Sequence, residues 1–450
     1  MSTSLVPLVF AERAVPRYTS YPTAPHFSAA VGAPEATAWL SALDRDASVS
    51  LYIHVPYCRE ICAYCGCHTK ATRKAKPLDD YTETLLAEID LLAGTTAARR
   101  VTHLHWGGGT PSLLGPERIT RLVQRLRDRF DLSGLIEHAI ELDPRTVDRP
   151  LVDALAAAGI NRASLGVQDL NLHVQEAIGR VQPLSIVAAG VAMLREAGIG
   201  AVNLDLMYGL PGQTLADVRS TAAQAAALAP SRLAIFGYAH VPWFKTQQRL
   251  IDAASLPGAA ERLAQAEASA AVLAAHGYVA VGLDHFARPD DPMALALADG
   301  SLGRNFQGYT TDAADALLGL GVSSIGRLPQ GFVQNAADTG AWRRAIEAGT
   351  LPVVRGVAFT ADDRLRADVI ERLMCDFAVD FGAIALARAG RADALDDAFA
   401  SLGALEGDGM VVLSGRHVAM TQAGRPFVRL AAAAFDAYLD TGRARHSVAV

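Results

Sequence analysis

No stretch of this sequence stays apolar for the roughly 20 residues that a membrane-spanning helix needs; each apolar run is broken by charge, Gly or Pro. The opening MSTSLVPLVFAERAV has no basic start and no long apolar core, so it does not read as a signal peptide. Cysteine is scarce: there are five in 450 residues, four of them between positions 58 and 67, with Cys375 alone. A disulfide framework would spread its cysteines to close loops, so clustering points instead to metal or redox chemistry in a reducing compartment. Strong charge of one sign is also missing. The 41 Lys and Arg against 47 Asp and Glu leave a net charge of −6, which does not suggest nucleic-acid or membrane-surface binding. There is no internal repeat and no long low-complexity segment. These absences predict a cytoplasmic protein with no nucleic-acid or membrane partner, and since nothing demands an oligomer, a monomer.

What is present is a chain that is 51% apolar and 20% charged, enough for a sizeable core and a composition that argues against disorder. Residues 1–50 read as an arm with little regular structure, broken by Pro16, Pro22, Pro25 and Pro34. From residue 51, short apolar runs alternate with amphipathic stretches. LYIHVP (51–56), VTHLHW (101–106), HAIEL (138–142), RASLGV (162–167), AVNLDLMY (201–208), RLAIFGY (232–238) and YVAVGL (278–283) read as strands. Helices are expected over 78–92, 116–129, 148–158, 184–197 and 214–229. Such repetition predicts a parallel α/β sheet, barrel-like or doubly wound. Residues 51–355 are expected to form the catalytic domain. Over 356–450 the pattern changes to helices at 361–378 and 423–440 around a hairpin at 410–420, turning at Ser414-Gly415, which predicts a small winged-helix-like domain.

The chemistry concentrates in YIHVPYCREICAYCGCH (52–68), directly after the first predicted strand. Cys58, Cys62 and Cys65 are spaced C-x3-C-x2-C. Thiolates suit iron–sulfur clusters and zinc. Three of them can hold three irons of a cubane and leave the fourth open. Zinc sites usually join two short pairs, and no second pair exists, but Cys67 or His68 could complete a zinc site within the loop. Spacing alone leaves both open.

This motif, with the aromatic Tyr64 before its last cysteine, resembles the radical S-adenosylmethionine superfamily. The resemblance implies a [4Fe–4S] cluster on Cys58, Cys62 and Cys65, and a partial (β/α)6 TIM-like barrel. In that superfamily the open iron chelates S-adenosylmethionine, and the reduced cluster cleaves it to methionine and a 5′-deoxyadenosyl radical. Cys67, which extends the motif to C-x3-C-x2-C-x-C, narrows the likeness to the oxygen-independent coproporphyrinogen III oxidases. RYTSYPTA (17–24), HWGGGTPS (105–112), ELDPR (141–145), GVQD (166–169), DLMYGLPGQT (205–214), DHFARPDD (284–291) and RNFQGYTT (304–311) resemble the same family, so the likeness spans essentially the whole chain. The family uses two S-adenosylmethionine molecules. Carried across, the one on the cluster would touch Tyr52, Gly108, Glu141 and Ile325. The second would touch Tyr64, Gly109, Thr110, Gln168, Arg180, Asp205 and Ala239.

Elementary chemistry is consistent with these roles. Glycines 107–109 would let a ligand approach the backbone, the carboxylates can accept from hydroxyl or ammonium groups, and Arg180 can pair with a carboxylate. Taken alone, each has a plainer reading: a tight turn for the glycines, helix caps or satisfied loops for Gln168, Glu141 and Asp205, a surface position for Arg180. Tyr57 and Tyr64 stand where the family often has Phe, and Gly237 where relatives can have Asn.

The resemblance implies oxidative decarboxylation of coproporphyrinogen III to protoporphyrinogen IX, two propionates becoming vinyls, with a flavodoxin- or ferredoxin-type electron donor. A substrate with four carboxylates calls for basic residues, and Arg17, Arg288 and Arg304 lie in family-like motifs. The arm would close over the site. The basic run TKATRKAK (69–76) is either a solvated face or a docking surface for an acidic donor. Cys375 and His276 read as structural residues of apolar helical stretches. Rival readings on the same fold are a haem chaperone and a radical methyltransferase.

Overall fold

The computed structural model describes residues 10–439. The extreme N-terminus, where a signal peptide would lie, and the last residue of the predicted 423–440 helix fall outside that range.

Six parallel strands form the body: β1 (Ser48–Val55), β2 (Arg100–Gly108), β3 (Glu137–Leu142), β4 (Arg162–Gln168), β5 (Ala201–Tyr208) and β6 (Arg232–Gly237). Each is followed by a helix: Ala75–Thr95, Gly115–Arg129, Arg149–Ala158, Leu184–Glu196, Leu215–Ala227 and Ala259–Ala275. This is the expected partial (β/α)6 arrangement. Most of the strands alternate buried core residues with half-buried polar or aromatic ones, as in Arg100–Gly108 and Ala201–Tyr208. Along β1, Leu51, Ile53 and Val55 join the apolar core while Ser50, Tyr52 and His54 alternate with them. Helix limits follow local chemistry. Thr214 and Asp217 cap each other at the start of Leu215–Ala227, and Gly159, at φ 86°, ends Arg149–Ala158.

The sheet extends past these six. On the β1 edge Ala316–Leu320 adds in parallel, then Ile325–Leu328, Gly331–Asn335 and Val353–Ala358 run antiparallel. On the β6 edge His285–Ala287 and Val279–Val281 add antiparallel. Among the described residues the twelve strands make an open sheet. At the amino ends of β3, β4 and β6 an ionic floor joins Arg162 to Glu137 at 2.7 Å and Arg232 to Asp291 at 2.7 Å.

The arm departs from expectation. Ala33–Ser41 is a helix, and Pro34, expected to break the chain, sits in its first turn, where a missing N–H costs nothing. Further upstream, Phe10, Val15, Tyr18 and Tyr21 are buried in a second core with Leu365, Leu373, Phe381, Phe427 and Phe435. That C-terminal region has helices Ala361–Asp376, Phe381–Ala389 and Phe399–Gly407 and a three-stranded sheet, in the winged-helix manner. Its hairpin joins Val411–Ser414 to His417–Met420 through Gly415 and Arg416, one residue later than predicted, because Gly415 takes φ 60°. The predicted 423–440 helix shortens to Val428–Ala433 after a 3₁₀ turn at Arg425–Phe427.

Candidate active site at the mouth of the sheet

The cysteine loop leaves β1 at Val55 and is fastened through its backbone. Val55 O accepts from Gly109 N–H at 2.9 Å and Tyr57 O from Thr110 N–H at 2.7 Å. Tyr57–Cys58 pairs with Lys70–Ala71, closing the loop's base. Ala63 N–H donates to Ile178 O at 3.0 Å. From the segment after β6, Lys245 and Gln248 donate to the carbonyls of Cys67 and Tyr64 at 3.0 and 2.8 Å, and Gln247 donates to that of Cys65.

With the main chain held, the sulfurs meet donors and cations. Thr110 Oγ1 donates to Cys58 Sγ at 3.4 Å, and Arg180 Nη1 lies 3.6 Å from Cys62 Sγ with Arg145 Nη2 at 4.0 Å. Cys67 N–H donates to Cys65 Sγ at 3.4 Å. Hydrogen bonding from the Cys67 thiol holds Cys65 down to about 6, whereas burial pushes Cys58 up to about 11. This donor set suits thiolate ligands of a cluster. His68 is engaged elsewhere, its Nε2 bonded to Ala337 O at 2.9 Å, which removes one of the two candidates for a fourth zinc ligand, while Cys67 stays beside Cys65.

The three glycines at the end of β2 also serve the chain's own packing. A Cβ on Gly107 would lie 2.8 Å from a Glu141 oxygen, one on Gly108 2.5 Å from the His54 ring, and one on Gly109 2.7 Å from Tyr57 O. Gly108 also has φ +112°. Gly108 N–H donates to Glu141 Oε2 at 3.1 Å, and His105 reaches Glu141 Oε1 at 3.4 Å. Tyr52 stacks on His105, with centroids 5.9 Å apart, and its hydroxyl meets His54 Nδ1 at 3.1 Å. Burial lowers His54 to about 4, so the ring is neutral. Ile325 starts the strand after Ala316–Leu320. It reaches this group through Gly319, which pairs with Tyr52 and where an added Cβ would stand 3.1 Å from the Ile325 backbone.

The second predicted set lies around the neighbouring strand ends. Arg180 is buried, donates to Gly166 O at 2.7 Å and pairs with Asp143 at 3.3 Å, while its Nε has no partner. Burial works against ionised Asp143, yet Arg145 and Arg180 hold it below the usual carboxylate range. Asp205 accepts from Ser164 at 2.7 Å and Asn203 at 2.8 Å, and burial raises it to about 6. Gln168 ends β4 with φ 68° at a register shift opposite β5. Tyr64 and Ala239 are joined by Gln248, whose amide donates to both carbonyls.

Gln248, Asp143 and His54 contact the predicted site residues, and sequence reasoning did not single them out. Asp143 lies within ELDPR, so its string was visible; Gln248 sits in an irregular segment with no periodic signal. Arg17 and Arg304 converge: Arg17 lies 3.4 Å from Gly237 O, and Arg304 Nη2 donates to Arg17 O at 3.2 Å. Arg288 does not join them. It follows the strand whose Ala287 pairs with Arg232, at the amino end of β6, and its partner is Asp290 at 3.5 Å. Cys375 is buried, as expected of a structural thiol. His276 is an exposed helix terminus bonded to Val272 O at 2.8 Å, satisfied but not packed in an apolar face.

Comparison with known proteins agrees with this geometry. The Radical SAM superfamily matches residues 52–225, and the HemN C-terminal domain matches residues 359–427. The oxygen-independent coproporphyrinogen III oxidase of Bradyrhizobium diazoefficiens is 49% identical, over 98% of this chain and 98% of its own length. That of Paracoccus denitrificans is 43% identical, over 97% and 96%. The solved structure of coproporphyrinogen III oxidase (HemN) from Escherichia coli, described as a radical SAM enzyme, superposes with a TM-score of 0.89 at 37% identity, covering 95% of this chain and 100% of that one.

Proposed function

The chain belongs to the oxygen-independent coproporphyrinogen III oxidases of the radical S-adenosylmethionine superfamily, and from that membership we propose how its own residues serve the oxidative decarboxylation of coproporphyrinogen III to protoporphyrinogen IX. The observation that carries the proposal is the cysteine loop. Three thiols are presented at the carboxyl end of β1 by a main chain fastened on both sides, with Arg180, Arg145 and Thr110 directed at two of the sulfurs. When bound, a [4Fe–4S] cluster and S-adenosylmethionine supply the electron and the hydrogen-abstracting radical that the reaction needs.

Cys58, Cys62 and Cys65 would hold that cluster. Tyr52, Gly108, Glu141 and Ile325 would line the first S-adenosylmethionine. Glu141 would accept from its polar groups while Gly108 N–H and His105 fix the carboxylate. A second molecule would lie against Tyr64, Gly109, Thr110, Gln168, Arg180, Asp205 and Ala239, with Gln248 holding Tyr64 and Ala239 in place. Two propionates require two abstractions, which supports a count of two. His54 beneath Gly108 is neutral and adds no positive charge to this layer.

Residues 51–355 would act as the catalytic unit, 1–50 as an arm and 356–450 as its cover. No helix of the described residues is long and apolar enough to cross a membrane; the clustered cysteines favour a reducing, cytoplasmic compartment, and the chain is read as a monomer. An acidic flavodoxin- or ferredoxin-type donor would dock at Lys70, Lys74 and Lys245, beside the loop. Lys70 and Lys74 are exposed, whereas Arg73 and Lys76 are paired with Glu60 and Asp80. The double change Lys70→Glu and Lys74→Glu should slow cluster reduction by such a donor several-fold and leave reduction by dithionite unchanged; equal rates would remove the docking surface. For the activity itself, anaerobic incubation of reconstituted protein with coproporphyrinogen III, reductant and S-adenosylmethionine should yield vinyl products and 5′-deoxyadenosine. Haem binding without decarboxylation would instead favour the chaperone.

A further inference from the structure

Two of the predicted arginines meet two that no motif singled out. Arg262, in the first turns of Ala259–Ala275, donates to Tyr238 O at 2.8 Å and lies over the Tyr208 ring at 5.8 Å. A Cβ on Gly237 would stand 2.8 Å from the Tyr208 hydroxyl and 3.2 Å from Arg262 Nη2, so the end of β6 is walled by these two side chains. Arg17, from the arm, reaches the same Gly237 carbonyl. Arg304 packs over the Tyr309 ring at 4.4 Å and donates to the carbonyls of Arg17 and Tyr18. Arg429, on Val428–Ala433, is buried, and its charge interacts with those of Arg17 and Arg304.

Four separate parts of the chain thus send guanidinium groups to the carboxyl ends of β5 and β6, two residues from Ala239. Like charges in a poorly solvated place repel one another. Burial, with Arg17 and Arg304 nearby, pushes Arg429 down to about 10. One acid, Asp284, lies among them, bonded to His285 at 2.7 Å and held below the usual carboxylate range with help from Arg304 and Arg17, so four guanidinium groups share one carboxylate. Arg304 Nη1 is buried without a hydrogen-bond partner. A cationic group of this kind, near the proposed cofactor residue Ala239, is suited to receive an anion. Planar guanidinium groups match carboxylates in particular.

We propose that Arg17, Arg262, Arg304 and Arg429 form the pocket that receives propionate carboxylates of the porphyrinogen substrate. The proposal rests on the coproporphyrinogen reading above and names the residues that recognise that substrate. The arm gains a role by it, since Arg17 completes the pocket from a segment anchored in the second core.

The test uses full-length, cluster-reconstituted protein and coproporphyrin III, the stable oxidised tetracarboxylate, titrated by fluorescence quenching. Because Arg429 is buried, the test rests on exposed Arg17 and half-buried Arg304. Arg17→Gln and Arg304→Gln should each weaken coproporphyrin binding about tenfold, the scale of one charge-assisted hydrogen bond. They should also flatten its salt dependence, and Arg17→Lys should recover part of the loss. Iron content and S-adenosylmethionine binding, measured by equilibrium dialysis, should not change. Unchanged coproporphyrin affinity and salt dependence in both Gln variants, with wild type active on coproporphyrinogen, would overturn the pocket and leave the function standing. Weakened S-adenosylmethionine binding with coproporphyrin binding intact would also overturn it, assigning the arginines to the cofactor's carboxylate. A wild-type protein that neither binds coproporphyrin nor turns over coproporphyrinogen would remove the functional reading beneath it.

Discussion

A methyl group at Gly109 would fall 2.7 Å from Tyr57 O and 2.9 Å from Tyr57 N, backbone atoms that cannot swing aside as a side chain would. The strand end and the cysteine loop would have to part. Gly109→Ala should therefore lower iron retained per chain after reconstitution by half or more, with the far-ultraviolet circular dichroism unchanged; full iron content would show that the contact has room. At this scale the sequence was informative where chemistry is rare and spaced. Cys58, Cys62 and Cys65 declare themselves because thiols are few and clustered. Gln248 does not, because an amide in an irregular loop carries no pattern, and its value lies in two carbonyls, one of them far away in sequence. Arg288 misled because its motif is shared, while its position at the amino end of β6 depends on pairing that no local string encodes.

His138, on β3, accepts the Trp106 indole N–H at Nε2, 2.9 Å away, and burial lowers its pKa from 6.5 to about 4. The folded state therefore binds this proton more weakly than the unfolded state does. The associated stability is fully present above pH 6.5 and is lost as pH falls towards 4, by about 3 kcal/mol in all and roughly 2 kcal/mol by pH 5. His138→Gln keeps an acceptor for Trp106 and does not titrate. Urea denaturation at pH 7 and pH 5 should show a smaller loss in the variant, and an equal loss would mean that other groups set the slope. The six parallel strands were legible because short apolar-rich segments with buried residues at alternate positions recur between amphipathic helical stretches. The antiparallel extension from Ile325 to Ala358 was not, since its strands are short and interrupted by Pro329 and Gln330. The arm's helix was hidden by Pro34, whose meaning changes with its place in the first turn.

Across the whole molecule, the arm is less a loose lid than part of the second core. Phe10, Val15, Tyr18 and Tyr21 are buried with the C-terminal helices, and the Tyr18 hydroxyl donates to Asp436 at 2.9 Å. Removing residues 1–30 would strip those side chains from the core, so loss of turnover on truncation would not by itself reveal a gating role. Tyr18→Phe should cost about 1 kcal/mol, one hydrogen bond, whereas Tyr18→Ala should cost about 3–5 kcal/mol through the cavity it leaves. Thermal unfolding followed in the C-terminal region would separate the two, and similar midpoints would mean that the ring is not packed as described.

That packing has a consequence for how the protein is made. Phe10 to Tyr21 leave the ribosome first, and their partners between Leu365 and Phe435 leave last. The strands of the large sheet all precede residue 359 and can pair before the second core exists. At about 5–20 residues per second, the nascent chain spends some seconds with its sheet assembled and its arm unanchored. In that interval Arg17 is not yet held beside Gly237, and the proposed carboxylate pocket is incomplete.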